Sequence, residues 1–181
     1  MVIDEYHAER MAEYEERLAR FSQRYTFGEA AMRFALDEAR RAADEGEVPV
    51  GAIVVIENRI VAAAHNLPLG LHDSTAHAEI LAIREAATAI QEYRLTEASL
   101  YVTLEPCVMC VGAIVNARIA KVYFGASDAK AGAFGSVYDI GRDGRLNHRV
   151  EVYGGILAEE CGRMLRDFFT PRRAGKSPSR P

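Results

Sequence analysis

Two short clusters constrain this chain more than any other feature, because they make chemical sense only if the fold brings them together: His77-Ala78-Glu79 and Pro106-Cys107-Val108-Met109-Cys110. They offer one imidazole, one carboxylate and two thiols. His77, Cys107 and Cys110 are residue types suited to binding zinc, and Glu79, two residues from the first of them, is left free. A structural zinc site usually closes with four protein ligands, whereas a catalytic one keeps a position open for water. Three ligands with a spare carboxylate describe a hydrolytic arrangement. Each cluster alone has a plainer reading. A single His in a first helical turn is more often a cap or surface residue, and a single C-x-x-C can be a redox pair or half of a structural site. The redox reading calls for a thioredoxin-like βαβ context without a nearby His-x-Glu, so the two clusters together favour a metal. Cys161 and His148 are candidate fourth ligands, but Cys161, beside Gly162 and Met164 in a helical stretch, reads rather as buried packing. His148 reads as a loop or strand-edge residue, and Gly132 and Gly135 as turn glycines without a phosphate-cradling pattern.

The pattern around the clusters predicts how they are carried. Residues 3 to 25 read as a helix with Met11, Tyr14, Leu18, Phe21 and Tyr25 on one stripe. Packing on the domain surface or a short coiled-coil contact would both explain the stripe; two heptads are few for the second. A second helix spans Phe27 to Ala43. Pro49 to Ile56 is almost entirely apolar and suits a central strand buried on both faces. Glu57-Asn58 turns the chain into a partner strand, Arg59 to Ala64, followed by a loop from His65 to Ser74. Thr75 is the expected N-cap of a helix from Ala76 to Ile90, with His77 in its first turn. Ser99 to Leu104 is the next strand, and Pro106 suits the first position of another helix, on which Cys107 and Cys110 share a side. The positive end of a helix favours thiolates. Strands over Ile119 to Phe124 and Arg149 to Tyr153, a Gly- and Asp-bearing loop between them, and a helix from Leu157 to Phe169 complete the order. That order predicts an α/β fold: a three-layer α/β/α domain around a five-stranded mixed sheet. Residues 1–25 form an N-terminal extension, 26–170 the domain, and 171–181 a basic tail rich in Pro and Ser, read as disordered.

With 181 residues the chain suits one domain with a sizeable core. No apolar run reaches the roughly 20 residues of a membrane span, and the start of the chain lacks the regions of a secretory leader; no membrane association and a cytoplasmic location are expected. The net charge of -4 disfavours a nucleic-acid partner only on average. Between Cys161 and Pro181 stand Arg163, Arg166, Arg172, Arg173, Lys176 and Arg180 against Asp167 alone, whereas Met1 to Glu29 is net acidic. The basic end reads either as a solvated tail or as an RNA site.

The H-x-E…P-C-x-x-C spacing is that of zinc-dependent nucleobase deaminases. From about Thr26 to Phe169 the chain resembles the bacterial tRNA-specific adenosine deaminases. The resemblance is carried by Glu47-Val48-Pro49-Val50-Gly51-Ala52, by Asp73 through Ile80, and by Tyr101 through Cys110. It continues in Phe124-Gly125-Ala126 with Asp128-Ala129-Lys130, Asn147 through Glu151, Gly155 through Ala158, and Asp167-Phe168-Phe169. The N-terminal helix and Ser127, where an Arg is often found, depart from the pattern. The resemblance implies a cytidine-deaminase-like fold and one Zn2+ per subunit, held by His77, Cys107 and Cys110. It implies deamination of adenosine to inosine at the wobble position of an arginine tRNA anticodon, by attack of a zinc-activated water on C6 with Glu79 as proton shuttle. It implies a homodimer that binds the anticodon stem-loop near the subunit interface. By position, Asn66 and the backbone N–H of Ala78 would contact the flipped base, Val50 and Leu104 would line its pocket, and Asp128 and Lys130 would contact flanking nucleotides. Phe169, Arg172 and Arg173 would lie against the RNA. Turn chemistry would also account for Asn66 and Asp128, and a solvated charge for Lys130. Two other functions stay open from the sequence. One is deamination of free bases or nucleotides, such as guanine, cytosine or deoxycytidylate, on the same fold. The other is a non-catalytic, RNA-binding subunit of a heterodimer, which would be expected to lack the carboxylate that Glu79 supplies.

Overall fold

The computed structural model describes residues 5–173. The tail read as disordered lies outside them from residue 174 onward. The elements follow in the order α1 (Glu5–Ser22), α2 (Phe27–Asp44), β1 (Gly51–Ile56), β2 (Arg59–His65), α3 (Pro68–Leu71), α4 (Ala78–Ile90), β3 (Ser99–Leu104), α5 (Val108–Asn116), β4 (Lys121–Ala126), β5 (Glu151–Gly154) and α6 (Ala158–Arg173), with a single 3-10 turn at Ile140–Arg142. The five strands form one mixed sheet in the order β2-β1-β3-β4-β5. β1 runs antiparallel to both β2 and β3, while β3, β4 and β5 are parallel.

Alternation along the strands divides the interior into two layers, as a two-residue side-chain period requires. Ala52 and Val54 of β1, Leu100 and Val102 of β3, and Val122 and Phe124 of β4 pack with α4 and α5. Ile53, Val55 and Tyr101 turn the other way, towards α2 and Cys161 of α6. This is the three-layer α/β/α arrangement expected from the sequence. α1 wraps the β2 edge of the sheet. Met11 joins the α4/α5 core, whereas Tyr14 and Leu18 join the α2 core, so the apolar stripe of α1 is buried within the fold rather than left for a coiled coil. Thr26 and Glu29 form a reciprocal capping box at the start of α2, which satisfies two backbone donors there.

Gly51 sets how closely α2 lies on β1. A Cβ at Gly51 would stand 2.1 Å from the carbonyl oxygen of Ala35 and 2.9 Å from Cβ of Glu38. Only glycine admits the helix backbone to that distance.

Two local expectations are corrected. The N-cap of α4 is His77, not Thr75, whose hydroxyl instead donates to Asp73 at 2.7 Å. Cys107 likewise caps α5, and Pro106 precedes the cap instead of occupying the first helical turn. Both ligand residues therefore have extended backbones, with ψ of 151° and 173°, and neither side chain bonds its own helix end. A ligand at the N-cap keeps its side chain free for the metal, which a Thr or Pro rule based on helix propensity does not anticipate. The expected loop from His65 to Ser74 contains the one-turn α3.

Candidate metal centre and active site

β2 delivers the chain to the start of α4, and β3 delivers it to the start of α5; the two N-caps meet at the sheet end. Nδ1 of His77 lies 3.8 Å from Sγ of Cys107 and 3.5 Å from Sγ of Cys110, and the two sulfurs are 3.7 Å apart. Zinc bonds of ~2.3 Å to sulfur and ~2.0 Å to nitrogen, at tetrahedral angles, separate two sulfurs by ~3.8 Å and a sulfur from a nitrogen by ~3.5 Å. The triangle fits that demand on all three sides. It is also the single group among the described residues with three His, Cys, Asp or Glu ligand atoms within 4.8 Å of one another. Cys161 and His148 take no part: Cys161 packs in the α2 core, and Nε2 of His148 lies 2.7 Å from the carbonyl of Ile119.

Contact with Cys110, then with His77, draws the Cys107 thiol down to about 3. The contact with Cys107 and then burial push the Cys110 thiol up. The His77 imidazole is raised chiefly by its contact with Cys107. Glu79, in the first turn of α4, is 4% exposed and stands outside the ligand group. Burial pushes its carboxyl above the ordinary range, the direction a proton-exchanging group at neutral pH requires.

Asn66 is buried one residue beyond β2, and its Oδ1 accepts the N–H of Ala78 at 2.9 Å. The two groups expected to touch a base thus touch each other here, which fixes the amide and leaves its NH2 as the group to donate elsewhere. Val50 is buried in the α4/α5 core. Leu104, Ser127, Asp128, Lys130, Arg166 and Phe169 all line one groove of about 540 Å³. None of the three ligand residues lines this groove; Leu104, which does, stands three residues before Cys107 in the chain. Oδ1 of Asp128 accepts from the backbone N–H of Lys130 at 2.8 Å and of Ala131 at 3.3 Å, so it closes a turn. Lys130 is exposed. The side chains of Arg172 and Arg173 lie outside the described residues.

Two buried acids that brace the loops around the site, Glu105 and Glu47, were missed from the sequence. Glu105, directly before Pro106, accepts from the backbone N–H groups of Asp128, Phe134 and Ser136 at 3.1, 3.0 and 3.1 Å, and from the Ser136 hydroxyl. It ties the loop after β4 to the cysteine cluster. Burial alone would raise its carboxyl, but the bonds from Ser136, Asp128 and Phe134 outweigh that and hold it below the ordinary range. Oε1 of Glu47 accepts from Leu69 and Gly70 at 2.7 and 2.8 Å, seating α3 against the start of β1. The signal was a carboxylate flanking an apolar strand end, where an unpaired charge is costly to bury.

The model of the MafB19-like deaminase family matches residues 28–173. The chain is 50% identical to a tRNA-specific adenosine deaminase of Haemophilus influenzae over 84% of its length and 89% of that protein's. It is 48% identical to the Bacillus subtilis protein of the same name, over 86% of its length and 96% of the relative's. Among solved structures, a tRNA A34 deaminase described in a study of A-to-I editing at the wobble position superposes with a TM-score of 0.73 at 44% identity, covering 75% of this chain and 98% of that one. A guanine deaminase from Nitrosomonas europaea superposes with a TM-score of 0.66 at 25% identity, covering 77% of this chain and 83% of that one.

Proposed function

The chain belongs to the tRNA-specific adenosine deaminases, within the MafB19-like deaminase family, and from that premise we propose how its residues divide the work. The reaction is hydrolytic conversion of adenosine to inosine at the wobble position of a tRNA. His77, Cys107 and Cys110 hold one zinc ion, which when bound supplies the Lewis acidity that lets a water ionise near neutral pH. Glu79 accepts one proton from the attacking water and delivers it to a ring nitrogen, then takes the second proton from the hydroxyl added at C6 and delivers it to the amino group, which departs as ammonia. Its burial beside the triangle supports that role, because desolvation raises the carboxyl, the direction a proton shuttle needs.

The Asn66 amide, fixed through Oδ1 by the N–H of Ala78, donates to the extruded base. Val50 and Leu104 flank that base. The groove bearing Asp128, Lys130 and Phe169 receives the neighbouring nucleotides of an arginine tRNA anticodon stem-loop, with Arg172 and Arg173 contacting phosphates. An anticodon loop suits such a site, since its bases are unpaired and cost little to extrude. The deaminase domain covers residues 26–170, and the protein acts as a homodimer in the cytoplasm. Among the described residues, no helix is long and apolar enough to cross a membrane.

The observation that carries this function is the triangle of ligand atoms at tetrahedral spacing with a buried, uncoordinated Glu79 beside it. The test is inosine formation on an anticodon stem-loop, compared with ammonia release from free adenine, guanine, cytosine and deoxycytidylate. Turnover on the stem-loop is expected. Turnover confined to free bases or nucleotides would overturn the RNA substrate and place the chain with the guanine deaminases it also resembles in fold.

A further inference from the structure

A second group of buried charges lies where α1, α2 and β2 meet, away from the metal ligands. Glu38 of α2 is 2% exposed. Its carboxylate lies 3.1 Å from Nη2 of Arg17 on α1, 3.4 Å from Nη1 of Arg41, and 3.5 Å from Nδ1 of His65. Nε2 of His65 lies 3.4 Å from Glu45. Both ring nitrogens are shielded from solvent and make no well-formed hydrogen bond, so the imidazole is held between two carboxylates by ion-pair contact. The Arg17 guanidinium is fixed as well, 4.0 Å over the ring of Phe34. An apolar side chain would fill the Glu38 position without desolvating a charge, so packing gives no reason for an acid there.

The cluster's place in the chain supplies one. His65 is the last residue of β2, and Asn66 follows it. Gly51, the residue on which α2 rests, pairs with His65 across the sheet. The close approach at Gly51 brings Glu38 to the end of β2, and the backbone N–H of Asn66 bonds Val50 at 2.9 Å. From Asn66 the path continues through Oδ1 to the N–H of Ala78, the residue after His77. An unbroken series of contacts therefore runs from Arg17 through Glu38, His65 and Asn66 to the metal centre. Its first member lies outside the segment that the family model matches, 28–173.

We propose that Arg17, Glu38 and His65 are positioning residues for Asn66, through which the N-terminal helix α1 sets how tightly the substrate base is held. None of the three touches substrate. The proposal rests on the reading of Asn66 as a base contact. Asn66 is held in one geometry before substrate arrives, so loss of its support weakens binding of ground state and transition state alike. That raises KM and leaves kcat nearly unchanged.

The test measures kcat and KM for an anticodon stem-loop, with zinc content and melting temperature, in the full-length chain. Glu38→Gln is expected to raise KM about five-fold and Arg17→Ala about three-fold, each with kcat within about two-fold of the parent. Arg17→Lys, which keeps the charge, should restore most of the affinity. Zinc should remain at one per chain. Asn66→Ala should raise KM by itself, and adding Glu38→Gln to it should cost little more, because the two act as one unit. An unchanged KM in Asn66→Ala removes the premise about the base contact. A raised KM in Asn66→Ala with unchanged KM in both the Glu38 and Arg17 variants overturns the positioning role alone. A lower melting temperature with unchanged KM assigns the cluster to stability and also overturns it. Should Glu38→Gln fail to fold, the contrast between Arg17→Ala and Arg17→Lys decides.

Discussion

The two sides of the sheet handle polar groups in opposite ways. Beneath α4 and α5 the layer is apolar, and its chemistry is confined to two helix starts, where His77 and Cys107 cap and Glu79 and Cys110 follow within a turn. Beneath α1 and α2 the Glu38 carboxylate, the Arg17 guanidinium and the His65 imidazole sit within the layer itself. On the first side, charge is gathered where backbone N–H groups are unpaired and an anion is welcome. On the second, each charge is offset by another from a different element. The first design resists rearrangement because the helix ends create the field. The second depends on three elements staying in register.

Substitutions can strain that contrast, the most severe first. Glu79→Ala should lower kcat by about 10² to 10⁴, the range of a lost general acid–base, while zinc content and melting temperature stay at parental values. A kcat within ten-fold of the parent, in an inosine-formation assay, would remove Glu79 from proton transfer. Gly51→Ala should destabilise the fold by about 3 kcal/mol in urea unfolding, because its Cβ has no room against α2 and neither backbone can yield cheaply. A loss below about 1 kcal/mol would mean that α2 shifts easily, and register would then matter less than argued.

Contact with Glu38 is the main influence raising the His65 imidazole above its ordinary 6.5, against an opposing effect of burial. Burial would raise the Glu38 carboxyl, but His65, Arg41 and Arg17 outweigh it and lower it below 4.5. Glu45 faces the same imidazole, and Glu13 lies near Arg17. Stability from the raised imidazole is complete below 6.5 and lost as pH rises through its folded value. Stability from the lowered carboxyl is complete above 4.5 and lost as pH falls through its own. The excess stability of the parent over His65→Gln should therefore be greatest between 4.5 and 6.5, at about 1.5 kcal/mol, and shrink on either side. A difference independent of pH would mean that the imidazole is held neutral. The smallest effect belongs to the capping box, which lies away from both sets of charges. Thr26→Ala should cost about 1 kcal/mol in unfolding and leave KM unchanged. A changed KM would show that the α2 start is coupled to the site.

Features with a local period were legible in the sequence. The ligand set was readable because His77 and Glu79, and Cys107 and Cys110, are neighbours along the chain. Most helices and strands were readable because their apolar stripes repeat every three to four or every two residues. The assignment of Thr75 as N-cap failed because propensity favours hydroxyl caps, while a metal ligand at the cap position answers to the site instead. The roles of Glu47 and Glu105 were hidden, because their partners stand 22 to 31 residues away, in segments with no pattern of their own.

The sequence by itself determined which atoms can bind zinc, which carboxylate is spare, and that helices would cover both faces of a mixed sheet. Only the tertiary structure decided that α1 is built into the fold and that Arg17, Glu38 and His65 share one buried site. It also decided that the two groups expected at the base are bonded to each other. Contacts between residues 17, 38 and 65 arise from the strand order and from the missing side chain at Gly51. Neither leaves a periodic trace in the chain, because the force that brings these elements together is the non-directional burial of the apolar faces beside them.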